Sequence, residues 1–151
     1  MDWQHVVEIQ QVTNGYFRAL DEKDFDETDL QRIFTADAKL LRPNGAATLG
    51  PKAIGESHRE SMARFENTQH LLTGHEVTLD GETATLRANV VAMHIWPGAN
   101  TMVNAQESHF VAGGVITARL IHTSAGWRIT EIANRVLWRA GGGFERIFAT
   151  K

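Results

Sequence analysis

The stretch "HLLTGHEVTLDGETATLRANVVAMHIW", residues 70–96, decides the fold. Asp80-Gly81 divides it into two long runs, and an Asp-Gly pair between such runs is the strongest short-range signal of a β-hairpin. In the second run Ala84, Leu86, Ala88, Val90, Ala92, His94 and Trp96 occupy the even positions, alternating with Thr83, Thr85, Arg87 and Asn89. Even-numbered side chains of a strand share one face, so this face is apolar, lined with small residues, and carries His94. In the first run His70 and His75 differ by an odd number, and a regular strand sends them to opposite faces. His70 shares a side with Leu72 and is expected inside; His75 is expected at the surface. One metal ion could be held by both only if Gly74 introduced a bulge, so a metal site is not expected.

Beyond Pro97-Gly98 two further runs, "ESHFVAGGVITARLIHT" (107–123) and "GWRITEIANRVLWR" (126–139), continue the strand pattern. Gly113-Gly114 marks a bulge or sharp bend in the first of them. The N-terminal half has a different period. Val6, Ile9, Thr13, Tyr16, Phe17 and Leu20 recur at three- and four-residue steps between Trp3 and Lys23, the stripe of an amphipathic helix. "DETDLQRIFTAD" (26–37) offers an N-cap and a second short helix, and "AKLLRPNGAATLG" (38–50) a short hairpin turning at Asn44-Gly45. Pro51 suits the first turn of a third helix. Helices followed by a meander of long antiparallel strands make an α+β fold in which a curled sheet leaves a pocket against the helices.

With 151 residues the chain fits one domain, and 42% hydrophobic and 22% charged residues are ordinary for a soluble protein. A net charge of −3 with scattered basic residues gives no reason to expect nucleic acid or an anionic membrane as partner. Cysteine is absent, which excludes disulfides and thiolate chemistry. No basic leader or membrane-length apolar run is visible, so a cytoplasmic protein is expected.

Inward His70 and His94 on adjacent strands, with Asp21 closing the first helical stripe, are the minimal apparatus for moving a proton without a cofactor. The plain alternatives are satisfied core histidines and a solvated helix end beside Glu22 and Asp24.

The same residues carry a family resemblance. "ALDEKDFDETDL" (19–30), "NTQHLL" (67–72), "VVAMHIW" (90–96), "SAGWRITEI" (124–132) and the tail "GGGFERIF" (141–148) resemble the SnoaL-like branch of the nuclear-transport-factor-2-like superfamily, and within it the scytalone dehydratases. The resemblance implies a cone: a curled mixed sheet wrapped over the N-terminal helices, spanning residues 1–140, with an internal pocket. It also implies that residues 141–151 fold over that pocket, with Phe144, Ile147 and Phe148 as an apolar lid; an oligomer contact is the alternative for this tail. By matched position the catalytic residues fall on Asp21, His70 and His94. The two tyrosines with which such dehydratases hold a carbonyl are not matched, since Leu20 precedes Asp21 and the only tyrosine is Tyr16. Thr117 stands where a pocket serine is expected and Arg119 where an asparagine is, while Arg42 stands where related isomerases place an aspartate.

The leading expectation is a cofactor-independent enzyme, dehydratase-like or a cyclase or isomerase, acting on a small apolar oxygenated molecule of polyketide or terpenoid type. His70 would be the base, Asp21 its orienting group, and His94 the acid or oxygen-binding partner. Tyr16, Arg42, Asn89, Trp96, Phe110, Thr117, Arg119, Asn134, Phe144 and Phe148 are the candidates for substrate contact. A module that only binds a hydrophobic ligand is the second reading and a structural dimerisation unit the third. A homodimer or homotrimer is expected.

Overall fold

A computed structural model describes residues 2–42, 44–99, 107–143 and 145–149. Helix α1 (Asp2–Glu22) is followed by the short α2 (Glu27–Leu30), strands β1 (Phe34–Leu41) and β2 (Ala47–Leu49), and α3 (Gly50–Met62). Four long strands then run as β3 (Asn67–Asp80), β4 (Thr83–Ile95), β5 (His109–Thr123) and β6 (Gly126–Gly141), before the one-turn α4 (Arg146–Ala149). The six strands form one open sheet in the order β2-β1-β6-β5-β4-β3. All neighbours are antiparallel except β1 and β6, which are parallel and make the sheet mixed.

The stripe on α1 does what its spacing implies: Ile9, Thr13, Tyr16, Phe17 and Leu20 are buried against the sheet. The helix stops abruptly. Lys23 takes a φ of 55°, its N–H bonds to the Leu20 carbonyl, and the Asp24 N–H reaches back to that of Ala19. This is the paired closure of a helix C-terminus, with a lysine where glycine is usual. The Lys23 ammonium is held in turn by the Phe65 carbonyl at 2.6 Å. Asp21 is thereby fixed in the last turn, a position the helix dipole disfavours for a carboxylate.

The sheet's pairing slips at four places, two of which bear on the site. On β3 the register with β4 slips between Thr73 and Glu76, so that Gly74 and His75 together face Ala88, and Gly74 has a φ of 62°. The slip reverses the alternation: Thr68, His70 and Leu72 point inward before it, Val77 and Leu79 after it. His75 is therefore not the surface residue that simple alternation suggests; it is half-buried and bonds to Asn14 of α1 at 3.1 Å. On β6 Leu137 is the extra residue, since Gly113 pairs with Trp138 and Gly114 with Val136. A side chain at residue 113 would fall 2.1 Å from the Trp138 ring, which is why glycine stands there.

The main core lies between α1, α3 and the inner face of the sheet, centred on Ile9, Phe17, Phe34, Ile54, Ile116 and Trp127. A smaller cluster of Phe65, Trp96 and Phe110 closes one end, with Ile147 of the tail against it. The space between the two is the site. No helix among the described residues is long and apolar enough to cross a membrane.

Candidate active site

Asp21 and His70 meet where the end of α1 crosses the start of β3. The His70 ring bonds through Nδ1 to Asp21 Oδ1 at 2.6 Å, and its backbone N–H donates to Oδ2 at 2.9 Å. Thr68, two residues earlier and so on the same face of β3, donates its hydroxyl to Oδ1 at 2.9 Å. Burial pushes the Asp21 carboxyl up, but the bonds from His70 and Thr68 and the His70 charge outweigh it and hold the group below the usual carboxylate range. An ionised Asp21 has no proton to give, so the Nδ1 atom of His70 carries the hydrogen and its Nε2 lone pair is left free. The His70 side chain is only 7% exposed, so this pair works largely away from water.

His94 faces the pair from β4, its ring 6.2 Å from that of His70. It stacks flat on Phe110 at 4.1 Å and packs on Phe65. Burial first, then the nearby His70 charge, push its pKa down to about 4, opposed by the backbone of Phe110 and Ala92 and by Asp21. His94 is thus neutral at ordinary pH, and its Nδ1 is buried without a hydrogen-bond partner. A polar atom left so inside a protein is costly.

Both rings line a cavity of about 140 Å³, walled by Val90, Phe110, Asn134, Arg139 and Ile147 among others. Larger hollows lie elsewhere, about 750 Å³ beside α3 and about 400 Å³ on the outer face of the sheet, but neither touches the Asp21–His70 pair. Chemistry, rather than size, singles out the small one.

Several expected contacts sit elsewhere. Asn89, Thr117 and Arg119 face outward and do not line the cavity, because odd positions of β4 and β5 point away from the helices; Arg119 pairs there with Glu131 at 3.8 Å. Trp96 is buried in the end cluster and holds the tail through its indole N–H on the Gly142 carbonyl at 2.9 Å. Phe110 and Asn134 do line the cavity. Phe144 and the side chain of Phe148 lie outside the described residues. Ile147 does reach the cavity, and its carbonyl is fixed by Arg64 at 3.1 Å.

Tyr16 is buried, and its hydroxyl lies 2.7 Å from Nε2 of His58, a residue of α3. Burial pushes the Tyr16 phenol up and, with the charges of Arg42 and His70, pushes His58 down to about 4. The pair is therefore a neutral O–H donating to an imidazole nitrogen. Arg42 itself is exposed and bonds to Ser57 and to Thr48. His58 escaped the sequence reading although a signal exists: it stands four residues after Ile54 and four before Met62, on the inner stripe of α3. Arg139 also escaped it, hidden in a strand whose alternation is broken by the extra Leu137.

A second group of possible metal ligands, His5, Glu8 and His122, gathers far from the cavity with its ligand atoms within 4.8 Å of one another. The Trp127 indole N–H donates to Nδ1 of His5 at 3.0 Å, which puts the proton of the neutral ring on Nε2 and leaves no lone pair for a metal. Only His122 and Glu8 remain as donors.

The comparisons with known proteins agree with this architecture. The model of the SnoaL-like domain matches residues 3–133. The chain belongs to the SnoaL-like family. An uncharacterized protein of Mycobacterium tuberculosis is 29% identical to this SnoaL-like chain over 124 residues, 82% of this chain and 79% of that one. Among solved structures, a proposed scytalone dehydratase from Novosphingobium aromaticivorans superposes with a TM-score of 0.76 at 14% identity, covering 95% of each chain. A proposed dehydratase of the nuclear-transport-factor-2-like family from Streptomyces avermitilis gives 0.73 at 19%, covering 89% of this chain and 97% of that one. At such identities the likeness is one of fold.

Proposed function

We propose that this SnoaL-like protein is a cofactor-independent enzyme that removes a proton from carbon and expels or relocates an oxygen function, as a dehydratase, cyclase or isomerase. The observation that carries this reading is the 2.6 Å bond between an ionised Asp21 and the His70 ring, which itself lines a small, mostly apolar cavity. Nε2 of His70 is the base. Asp21 fixes the ring's tautomer and stabilises the imidazolium that forms when the proton arrives. Neutral His94, flat against Phe110, offers a ring N–H to the substrate oxygen without adding a second positive charge beside His70. The apolar walls and Ile147 keep water from competing for the proton. A small oxygenated substrate of polyketide or terpenoid type fits such walls, and assembly into a dimer or trimer belongs to the same proposal.

Titrating the histidine ring resonances by NMR in wild type and Asp21→Asn tests the pair without a substrate. The outcome expected is a His70 response that changes on neutralising Asp21. A His70 curve indifferent to the substitution would remove the pair. With a converted substrate in hand, Asp21→Asn should spare its affinity and abolish turnover; unchanged turnover would leave a protein that only binds.

A further inference from the structure

Strand β6 outruns its neighbour. Its parallel pairing with β1 ends at Leu41 opposite Ala133, whereas β6 continues to Gly141. From residue 134 onward the β1-side edge of β6 has no strand beside it among the described residues, and a groove of about 660 Å³ wraps around this edge. Asn134, Val136 and Arg139 line both this groove and the cavity that holds His70 and His94, so the two adjoin along β6. A cavity of about 140 Å³ is smaller than the usual small-molecule site of roughly 300 Å³ or more, so a substrate reacting there extends into the groove.

The groove has a distinct chemistry. Arg42, Arg87, Arg135 and Arg139 line it, and no carboxylate does among the described residues. Arg87, Arg135 and Arg139 pair with no acidic side chain there, and Arg42 is held by the uncharged hydroxyls of Ser57 and Thr48. Glu76, opposite Arg87 in the sheet, lines with Glu131 a neighbouring hollow on the outer face that shares Leu41, Arg87, Thr117 and Ala133 with the groove, so the groove's acidic neighbours lie at its end away from Arg139. The four guanidinium groups are exposed and give this edge of a chain whose net charge is −3 a local positive field that draws an anion. Guanidinium is also the side chain whose fork of N–H donors matches a carboxylate or phosphate. Leu41, Val115 and Val136 give the same groove an apolar wall.

We propose that the groove at the free edge of β6 binds an oxyanion arm of the substrate, with Arg139 at the junction and Arg42, Arg87 and Arg135 beyond it. The substrate is then amphipathic: an apolar part that reacts between His70 and His94, and an acidic part that stays at the mouth. The proposal rests on reading the cavity as the reacting site, but its test does not depend on turnover.

Two fluorescent probes share an apolar body and differ in charge: 1-anilinonaphthalene-8-sulfonate and the neutral N-phenyl-1-naphthylamine. At low salt the sulfonate should bind the full-length protein about tenfold more tightly, the sum of several exposed ion pairs. High salt should erase that preference, and so should Arg135→Gln with Arg139→Gln in one chain, whose folding a thermal melt confirms. The bound sulfonate should also shift the ring resonances of His70 and His94, which places it in the cavity and its adjoining groove and not on the exposed Trp138. His70→Ala, which ends turnover under the proposed function, should keep the charge preference, so the two readings fail separately. Equal affinities, no binding by either probe, a preference that survives both arginine replacements, or unshifted His70 and His94 rings would each overturn the proposal.

Discussion

Two histidines lean on the same helix and end up with opposite characters. His70 bonds to Asp21 and His58 to Tyr16, at 2.6 and 2.7 Å, and both partners belong to α1. The lengths are nearly equal, so the difference lies in charge. A carboxylate fixes the hydrogen of His70 on one nitrogen, balances a positive ring, and leaves the other nitrogen free to accept a proton. A buried phenol can only donate to His58, which uses the ring nitrogen it touches and gives nothing to offset a positive charge. Burial and Arg42 then keep His58 neutral down to about pH 4. In this pair the buried histidine whose second nitrogen meets an anion is the one fitted to act as a base, and the one that meets a phenol is a hydrogen-bond acceptor.

The comparison breaks most visibly at His70. His70→Ala should lower turnover by ~10²-fold or more with the fold retained, whereas His58→Gln should leave most of it; similar losses in the two variants would erase the distinction. Next in size is the acid limb of stability. His58 and His94 have folded pKa values of about 4, below the usual value near 6.5, so the unfolded chain binds more protons between those limits. Stability is full above pH ~6.5 and falls as the pH drops toward ~4. Replacing both histidines by phenylalanine should flatten that slope in a series of thermal melts. Asp21 acts lower on the scale: its depressed pKa contributes stability above the unfolded carboxylate value, lost only as pH falls through the folded one.

Tyr16→Phe should follow, destabilising by about 1–3 kcal/mol because Nε2 of His58 loses its donor in the interior. Urea denaturation would measure it, and a loss that persists in the His58→Phe background would show that packing, not the bond, is responsible. The smallest effect belongs to Thr68→Val, about 0.5–1.5 kcal/mol for one of the three bonds to Asp21. It sharpens the comparison by asking whether the Asp21–His70 bond survives without its neighbour, read from the His70 ring resonances.

Much of this was legible in the residues. The stripe of α1, the Asp80-Gly81 hairpin and the even face of β4 are local patterns that put Asp21 at the end of the helix and His70 and His94 on the inner face of adjacent strands; the family resemblance pointed to the same three, and the structure brings them together. What was not legible depends on events outside the pattern. His75 is turned inward by a bulge whose only trace is one glycine. The parallel pairing of β1 with β6 joins segments some ninety residues apart, as in Leu40 with Ile132, and leaves no mark in either alone. Thr117 and Arg119 were assigned to the pocket by matched position although they alternate out of phase with Ala118 and Leu120, and the alternation was the better guide. His58 was simply passed over: its spacing from Ile54 states its direction.

The bulge at Gly74 also bears on how this chain can change. It lets one strand present His70 and Leu72 to the interior on one side, and Val77 and Leu79 on the other, although the two sets differ in parity. Losing a single residue between 73 and 75 would remove the bulge and restore even spacing, leaving His70, Leu72, Val77 and Leu79 on one face of a regular strand. Losing one residue elsewhere in this strand, with the bulge kept, would instead turn one of the two sets outward.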